Sequence, residues 1–216
     1  MKARIILVLA SSMLLQACAG LGLLNEAAEP NDIYLLTPKS TFAANLPTLR
    51  QQLVIEEPTA TAAVDTDRIA VQPSPLEVQY LPDARWIDRA PRFVQALLIE
   101  SFENTGKVGA VGRSAAILRP DFVIVTDMRE FQAQVVADGT DSDALDVRVR
   151  LNVKIVDDYD DRIIASASFE EITRSETSEM PGIAYAFDEA LGDAMRDAVE
   201  WTIRSIYKHS GSYPRS

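Results

Sequence analysis

From Val147 to Ile155 the chain alternates without a break. Val147, Val149, Leu151, Val153 and Ile155 fall on one side and Arg148, Arg150, Asn152 and Lys154 on the other. A period of two over this length predicts a strand with one face against a core. Asp157-Asp158-Tyr159-Asp160-Asp161 follows as a turn, and then Ile163, Ala165, Ala167 and Phe169 alternate with Ile164, Ser166 and Ser168. The two runs predict a long antiparallel hairpin with the first set of each facing inward. Shorter apolar runs predict strands at Ile33–Leu36, Gln52–Ile55, Arg68–Val71, Leu76–Tyr80, Lys107–Val111 and Phe122–Met128. Pro38 and Pro58 end the first two, and Pro73-Ser74-Pro75 makes a turn or a kinked edge between the next two.

The period changes to three and four in two places. From Ala90 to Asn104 the positions Val94, Leu97, Leu98 and Phe102 share a helical face, Pro91 suits the first turn, and Gly106 is placed to end it. Asp88 is expected to cap this helix and Trp86 to staple its entry. From about Pro181 to Tyr207 a second helix turns Ile183, Phe187, Leu191, Ala194, Met195, Ala198, Thr202 and Ile206 inward. The polar residues 208–216 read as a flexible tail. Together these elements predict an α+β fold: one layered domain over residues 32–207, with a mixed or antiparallel β-sheet and two main helices packed on one side.

The first residues follow another logic. Lys2 and Arg4 precede an apolar stretch from Ile5 to Leu15, and Leu15-Gln16-Ala17-Cys18 closes it. A basic start, a short apolar centre and small residues before a cut describe a secretory signal, here residues 1–17. The apolar stretch is about half the roughly 20 residues a helix needs to span a bilayer. A cysteine directly after the cut has the form of a bacterial lipoprotein box, which makes Cys18 the expected lipidated N-terminus. One acyl chain holds weakly and several hold stably. Ala19, where aspartate would favour retention at the inner membrane, points to the outer membrane. Residues 18–31 then form a tether whose last thirteen residues reach about 40 Å when extended.

Composition narrows the options further. The whole chain has 216 residues and a formal charge of −11. Loss of Lys2 and Arg4 with the signal leaves 19 basic against 32 acidic side chains, a formal −13. Such a surface argues against nucleic acid and against electrostatic binding to anionic headgroups. Cys18 is the only cysteine, so once it is acylated, disulfides, thiolate metal sites and cysteine nucleophiles are excluded.

No motif makes a convincing active site. His209, the only histidine, falls in the expected tail, where nothing would orient it as a catalytic base. Asp157–Asp161 lacks the glycine and the ligand spacing of a calcium loop and reads as a solvated turn. Gly106, Gly109 and Gly112 do not form a phosphate loop. Asp65 and Asp67 read as turn carboxylates with Arg68 pairing one of them. The same stretch, with Trp86 if that ring is exposed, is the candidate surface for a partner protein. No cofactor and no metal site is expected. The whole favours binding or assembly over catalysis.

Several blocks taken together resemble the ABC-type transport auxiliary lipoprotein family. They are Leu53–Pro58, Asp65–Val71, Ala84–Pro91, Gln95, Ser101–Gly106, Asp127–Phe131, Ala186-Phe187 and Glu200-Trp201, spread over roughly residues 32–205. The resemblance implies a periplasm-facing lipoprotein of an MCE-type lipid transport system. Its implied partners are an MCE-domain conduit protein and an ABC permease and ATPase, with docking of the conduit at the outer membrane. Self-association into a ring is implied as well. The family offers no catalytic residues to transfer, only the lipidated Cys18. A stand-alone lipid carrier and an envelope lipoprotein regulating a cell-wall synthase remain as alternatives.

Overall fold

The computed structural model describes residues 31–114, 116, 119–135 and 144–212, with the side chain of Ser212 excepted. The signal, Cys18 and the tether to residue 30 lie outside the described residues. The folded unit runs from Ile33 onward.

The described strands are β1 (Asp32–Tyr34), β2 (Gln52–Ile55), β3 (Thr59–Ala60), β4 (Arg68–Ser74) and β5 (Glu77–Trp86), then β6 (Ala110–Gly112), β7 (Phe122–Val135), β8 (Leu145–Asp157) and β9 (Arg162–Arg174). Two helices complete the set, α1 (Ala90–Asn104) and α2 (Met180–Ser212). β7 is the spine of one mixed sheet. Along one edge it receives β2, β3 and β4 in turn, all parallel to it. Along the other it pairs antiparallel with β8 from Phe122↔Asp157 to Val135↔Leu145. β8 in turn pairs antiparallel with β9 from Asp146↔Arg174 to Asp157↔Arg162. β6 flanks β2, and β5 and β1 extend the sheet beyond β4.

The α+β reading holds, with a mixed sheet and two helices covering one face. The inward residues of β8, Val147 to Ile155 in steps of two, are at most 1% exposed. Above them lie the α2 residues Ile183, Phe187, Leu191, Ala194, Met195, Ala198, Thr202 and Ile206, all at most 2% exposed. Each large apolar side chain so buried contributes about 1.5–3 kcal/mol. α1 adds Val94, Leu97, Leu98 and Phe102 to the same core.

Departures from the sequence reading have local causes. β7 continues past Met128 to Val135 because a bulge between Met128 and Glu130 resets the alternation. Phe122, Ile124, Thr126 and Met128 point inward before it, Phe131 and Ala133 after it. A second bulge, between Ile155 and Val156, turns Ile163 outward, where it is 58% exposed instead of lying in the core. β5 runs beyond Tyr80 to Trp86 by accommodating Pro82 and Asp83 (φ 56°) within a register shift. The strand expected at Lys107–Val111 begins only at Ala110. Just before it, Gly109 lies so close to β2 that a Cβ would meet the Arg50 carbonyl oxygen at 2.5 Å.

The start of α1 and the end of α2 differ from the expectation. Gly106 does end α1, at φ 59°. Asp88, however, is not the cap. Arg89 holds that position without a side-chain hydrogen bond, while Asp88 accepts from the Arg89 backbone N–H and pairs with Arg92. α2 extends to Ser212, so the first five residues of the expected tail are helical.

Candidate functional site

The turn after β3 holds the predicted partner-binding residues. Val64 and Asp65 donate backbone hydrogen bonds to the Thr61 carbonyl, which closes the turn. It is then latched to the entry of α1, because Trp86 N–H donates to the Asp67 carbonyl at 2.7 Å and Ala90 N–H to the Thr66 carbonyl at 3.0 Å. This brings Asp65 and Asp67 beside the arginines of the β5–α1 junction. Arg89 donates to Asp65 through Nε at 2.9 Å and again through Nη2, and it also reaches Glu57 at 3.4 Å. Arg85 pairs with Asp67 at 3.0 Å.

Arg68 does not pair with either carboxylate, contrary to expectation. Its guanidinium lies 3.7 Å from the Tyr80 ring centroid, a cation–π contact. The hydrogen bond from Arg85 holds the Asp67 carboxyl below the usual aspartate range. The hydrogen bond to Asp65 likewise raises the Arg89 guanidinium. Both shifts favour the charged forms of Asp67 and Arg89. The arrangement suits recognition rather than proton transfer.

Trp86 is excluded as a surface anchor. It is 3% exposed and sits at the centre of an aromatic cluster with Phe93, Phe131 and Phe187 at 5.7, 5.6 and 5.0 Å between ring centroids. Strand alternation turns it inward and its neighbour outward. Ile87, 57% exposed, hydrogen-bonds through its N–H to the Tyr34 carbonyl and lies beside Ile33 and Leu35, which are 64% and 67% exposed. The surface here is therefore an apolar patch of Ile33, Leu35 and Ile87 next to the ion pairs of Arg89. The sequence signal for it was available: Ile87 is one position out of step with the buried Trp86.

His209 is also placed differently. It lies on the last turn of α2, with Nε2 3.4 Å from the Asp157 carboxylate and its ring edge-on to Phe122. Asp157 Oδ1 meanwhile accepts from the Tyr159 and Asp160 N–H groups, so the acidic run forms the β8–β9 turn. The pair ties the end of α2 to that turn. Among the described residues, no cluster of three or more His, Cys, Asp or Glu has the form of a metal site.

A long segment without regular structure, Thr37 to Asn45, is strapped along α2. Thr37 donates its N–H and hydroxyl to Asp188, Lys39 pairs with Asp193 at 2.7 Å, and Ala43 N–H donates to Glu200. At the start of α2, a cavity of about 350 Å³ is bounded by Thr173, Arg174, Gly182, Tyr185 and Glu189. No described helix is long and apolar enough to cross a membrane.

The described residues form a two-layer α+β body with paired surface charges and exposed apolar side chains. The comparisons give the family. The description "ABC-type transport auxiliary lipoprotein component" matches residues 34–199, and the chain belongs to that family. An uncharacterized protein of Bradyrhizobium diazoefficiens, bll6063, is 30% identical over 172 residues, covering 80% of this chain but 44% of its own length. The chain thus spans under half of the curated relative it matches. The crystal structure of protein XCC0632 from Xanthomonas campestris superposes with a TM-score of 0.76 at 28% identity, covering 83% of this chain and 99% of that one. A second solved structure, of an uncharacterized protein, shares the fold at a TM-score of 0.60 and 10% identity, over 82% of this chain and 99% of that one.

Proposed function

We propose that the chain is anchored by acyl chains on Cys18 and serves as the docking lipoprotein of an ABC-driven, MCE-type lipid transport assembly, at the outer membrane facing the periplasm. Its partners in this reading are an MCE-domain conduit protein and the ABC permease and ATPase behind it. Several copies would gather as a ring around the conduit. The observation that carries the reading is the family match over residues 34–199 joined to a lone cysteine at a lipoprotein box.

The mature surface, at a formal −13, supplies no attraction to anionic headgroups, so membrane attachment rests on the acyl chains. The role is one of binding, without catalysis. The contact face is the patch of Ile33, Leu35 and Ile87 with the Asp65–Arg89 and Asp67–Arg85 pairs at its rim. An apolar centre within a charged rim is the usual anatomy of a specific protein interface.

Fractionation tests the anchor. Cys18→Ser should move the protein from the membrane fraction to the soluble periplasmic fraction, and retention in the membrane would contradict the assignment. Ile87→Asp tests the face. It should abolish recovery of the transport partners while thermal stability stays unchanged, because Ile87 is mostly in water. Undiminished recovery would move the contact elsewhere.

A further inference from the structure

Among the described residues, β9 pairs on one side only, with β8. It is thirteen residues long, and about half of its N–H and C=O groups point away from β8. Exposed edges of this length are normally blunted by proline, lysine or a bulge. β9 has arginines at its two ends, a bulge at its start and Glu170 and Glu171 in its second half, and between these runs an uncharged stretch, Ala165-Ser166-Ala167-Ser168-Phe169.

The layer above β9 is also incomplete. α2 covers the inward face of β8 to 1% exposure or less. The inward residues Ala165, Ala167 and Phe169 of β9 are only half-buried, as is Trp201 of α2, whose ring lies 5.6 Å from that of Phe169. An apolar strip therefore runs along the open edge, between strand and helix. It leads to the cavity beside Thr173 and Tyr185, where Tyr185 is 77% exposed.

The charge of this groove selects its occupant. Glu171 is directed at α2, where Asp193 and Asp197 lie near it. Asp193 is already taken by Lys39 and Arg196, and Asp197 by Arg196. Among the described residues Glu171 makes no ion pair of its own. Burial and these two aspartates raise its carboxyl above the usual glutamate range, against a smaller opposing pull from Arg196, which is already paired with both aspartates. In the register centred on Ser168 a second copy of this edge does not satisfy the groove, because it sets Arg162 opposite Arg174 twice and leaves Glu171 opposite Ala165.

We propose that the open edge of β9, with the groove beside α2, accepts an extended segment of a partner protein as a tenth strand, with a lysine or arginine of that segment opposite Glu171. Backbone hydrogen bonds to β9 supply affinity, and the strip of Phe169 and Trp201 together with Glu171 supplies selectivity, as in other strand-addition complexes. This surface is at the opposite end of the strand order from the Ile33–Ile87 patch and does not depend on it.

The test uses the full-length protein in detergent and a short acetylated, amidated peptide of alternating threonine and valine with a central lysine. Binding is read from Trp201 fluorescence in the presence of Trp86, and from hydrogen exchange along β9. The expected result is saturable binding with protection of β9 amides. Glu171→Gln should weaken it about fivefold and Glu171→Lys more than tenfold. A peptide N-methylated at alternate residues should not bind. Equal binding of the methylated peptide, equal binding of a central-glutamate peptide, or concentration-dependent dimers that protect β9 would each overturn the proposal. Should wild-type protein and Glu171→Lys recover transport subunits equally, while the peptide also fails to bind, the edge is wrong and the docking role stands. Should neither recover them, the docking role fails and the peptide result still decides the edge.

Discussion

Replacing Trp86 by alanine separates two views of this residue. As a surface anchor it would matter for a partner and little for folding. In the structure it is 3% exposed, and its indole touches rings from α1, β7 and α2 at 5.0–5.7 Å. Truncating a buried tryptophan costs about 3–5 kcal/mol, through lost transfer energy and the cavity left behind. A domain of this size loses about 2–4 °C of Tm per kcal/mol, so Tm should fall by about 6–20 °C. Native stability is typically about 5–15 kcal/mol, so the variant should still fold in the cold. Urea denaturation of the mature chain carrying Cys18→Ser, followed by far-UV circular dichroism, reads the loss directly. Trp86→Phe, which keeps an aromatic ring in the cluster, should lose markedly less. Wild-type stability in Trp86→Ala, coupled with loss of partner recovery, would refute the buried-cluster argument.

The other predictions concern single contacts. The Thr202 hydroxyl is buried without a hydrogen-bond partner among the described residues, so Thr202→Val should stabilise the domain by about 1 kcal/mol in the same assay. His209→Ala should cost about 0.5–1.5 kcal/mol and speed hydrogen exchange in the Asp157–Asp161 turn, which a frayed tail would not do. The hydrogen bond from Lys39 lowers the Asp193 carboxyl. Its stabilisation is therefore present at neutral pH and lost as pH falls through the depressed folded-state value. Asp193→Asn should lower stability at pH 7 and flatten the acid limb below about pH 4, as read by denaturation across pH.

The elements with an unbroken period were legible before any coordinates. β8 and the inward faces of both helices come straight from spacing, because each buried position recurs on the pitch of its own element. The family resemblance, too, was readable from scattered blocks. What the sequence hid was hidden by irregularity. The bulge at Arg129 made β7 look half its length, and the bulge before Val156 put Ile163 on the wrong face. The strand expected to stop at Tyr80 runs on to Trp86, because a register shift accommodates Pro82. Trp86 was offered to a partner because a tryptophan at a strand–helix junction can face either way, and only packing decides. The exposed patch then fell to its neighbour Ile87. Arg68 was matched to the nearest carboxylates in sequence, while Arg85 and Arg89, distant in sequence, reach them in space. The half-covered edge of β9 was invisible for a related reason. Its inward alternation matches that of a fully buried strand, and only the reach of α2 shows that its cover is partial.

The central claim is membership in a transport assembly. The most direct measurement is a detergent pull-down of the tagged, lipidated protein from its native envelope, with mass spectrometry of the eluate. Recovery of an MCE-domain protein together with an ABC permease and ATPase is the predicted result. A protein recovered with bound lipid and no transporter subunits, or with a cell-wall synthase in their place, would contradict it.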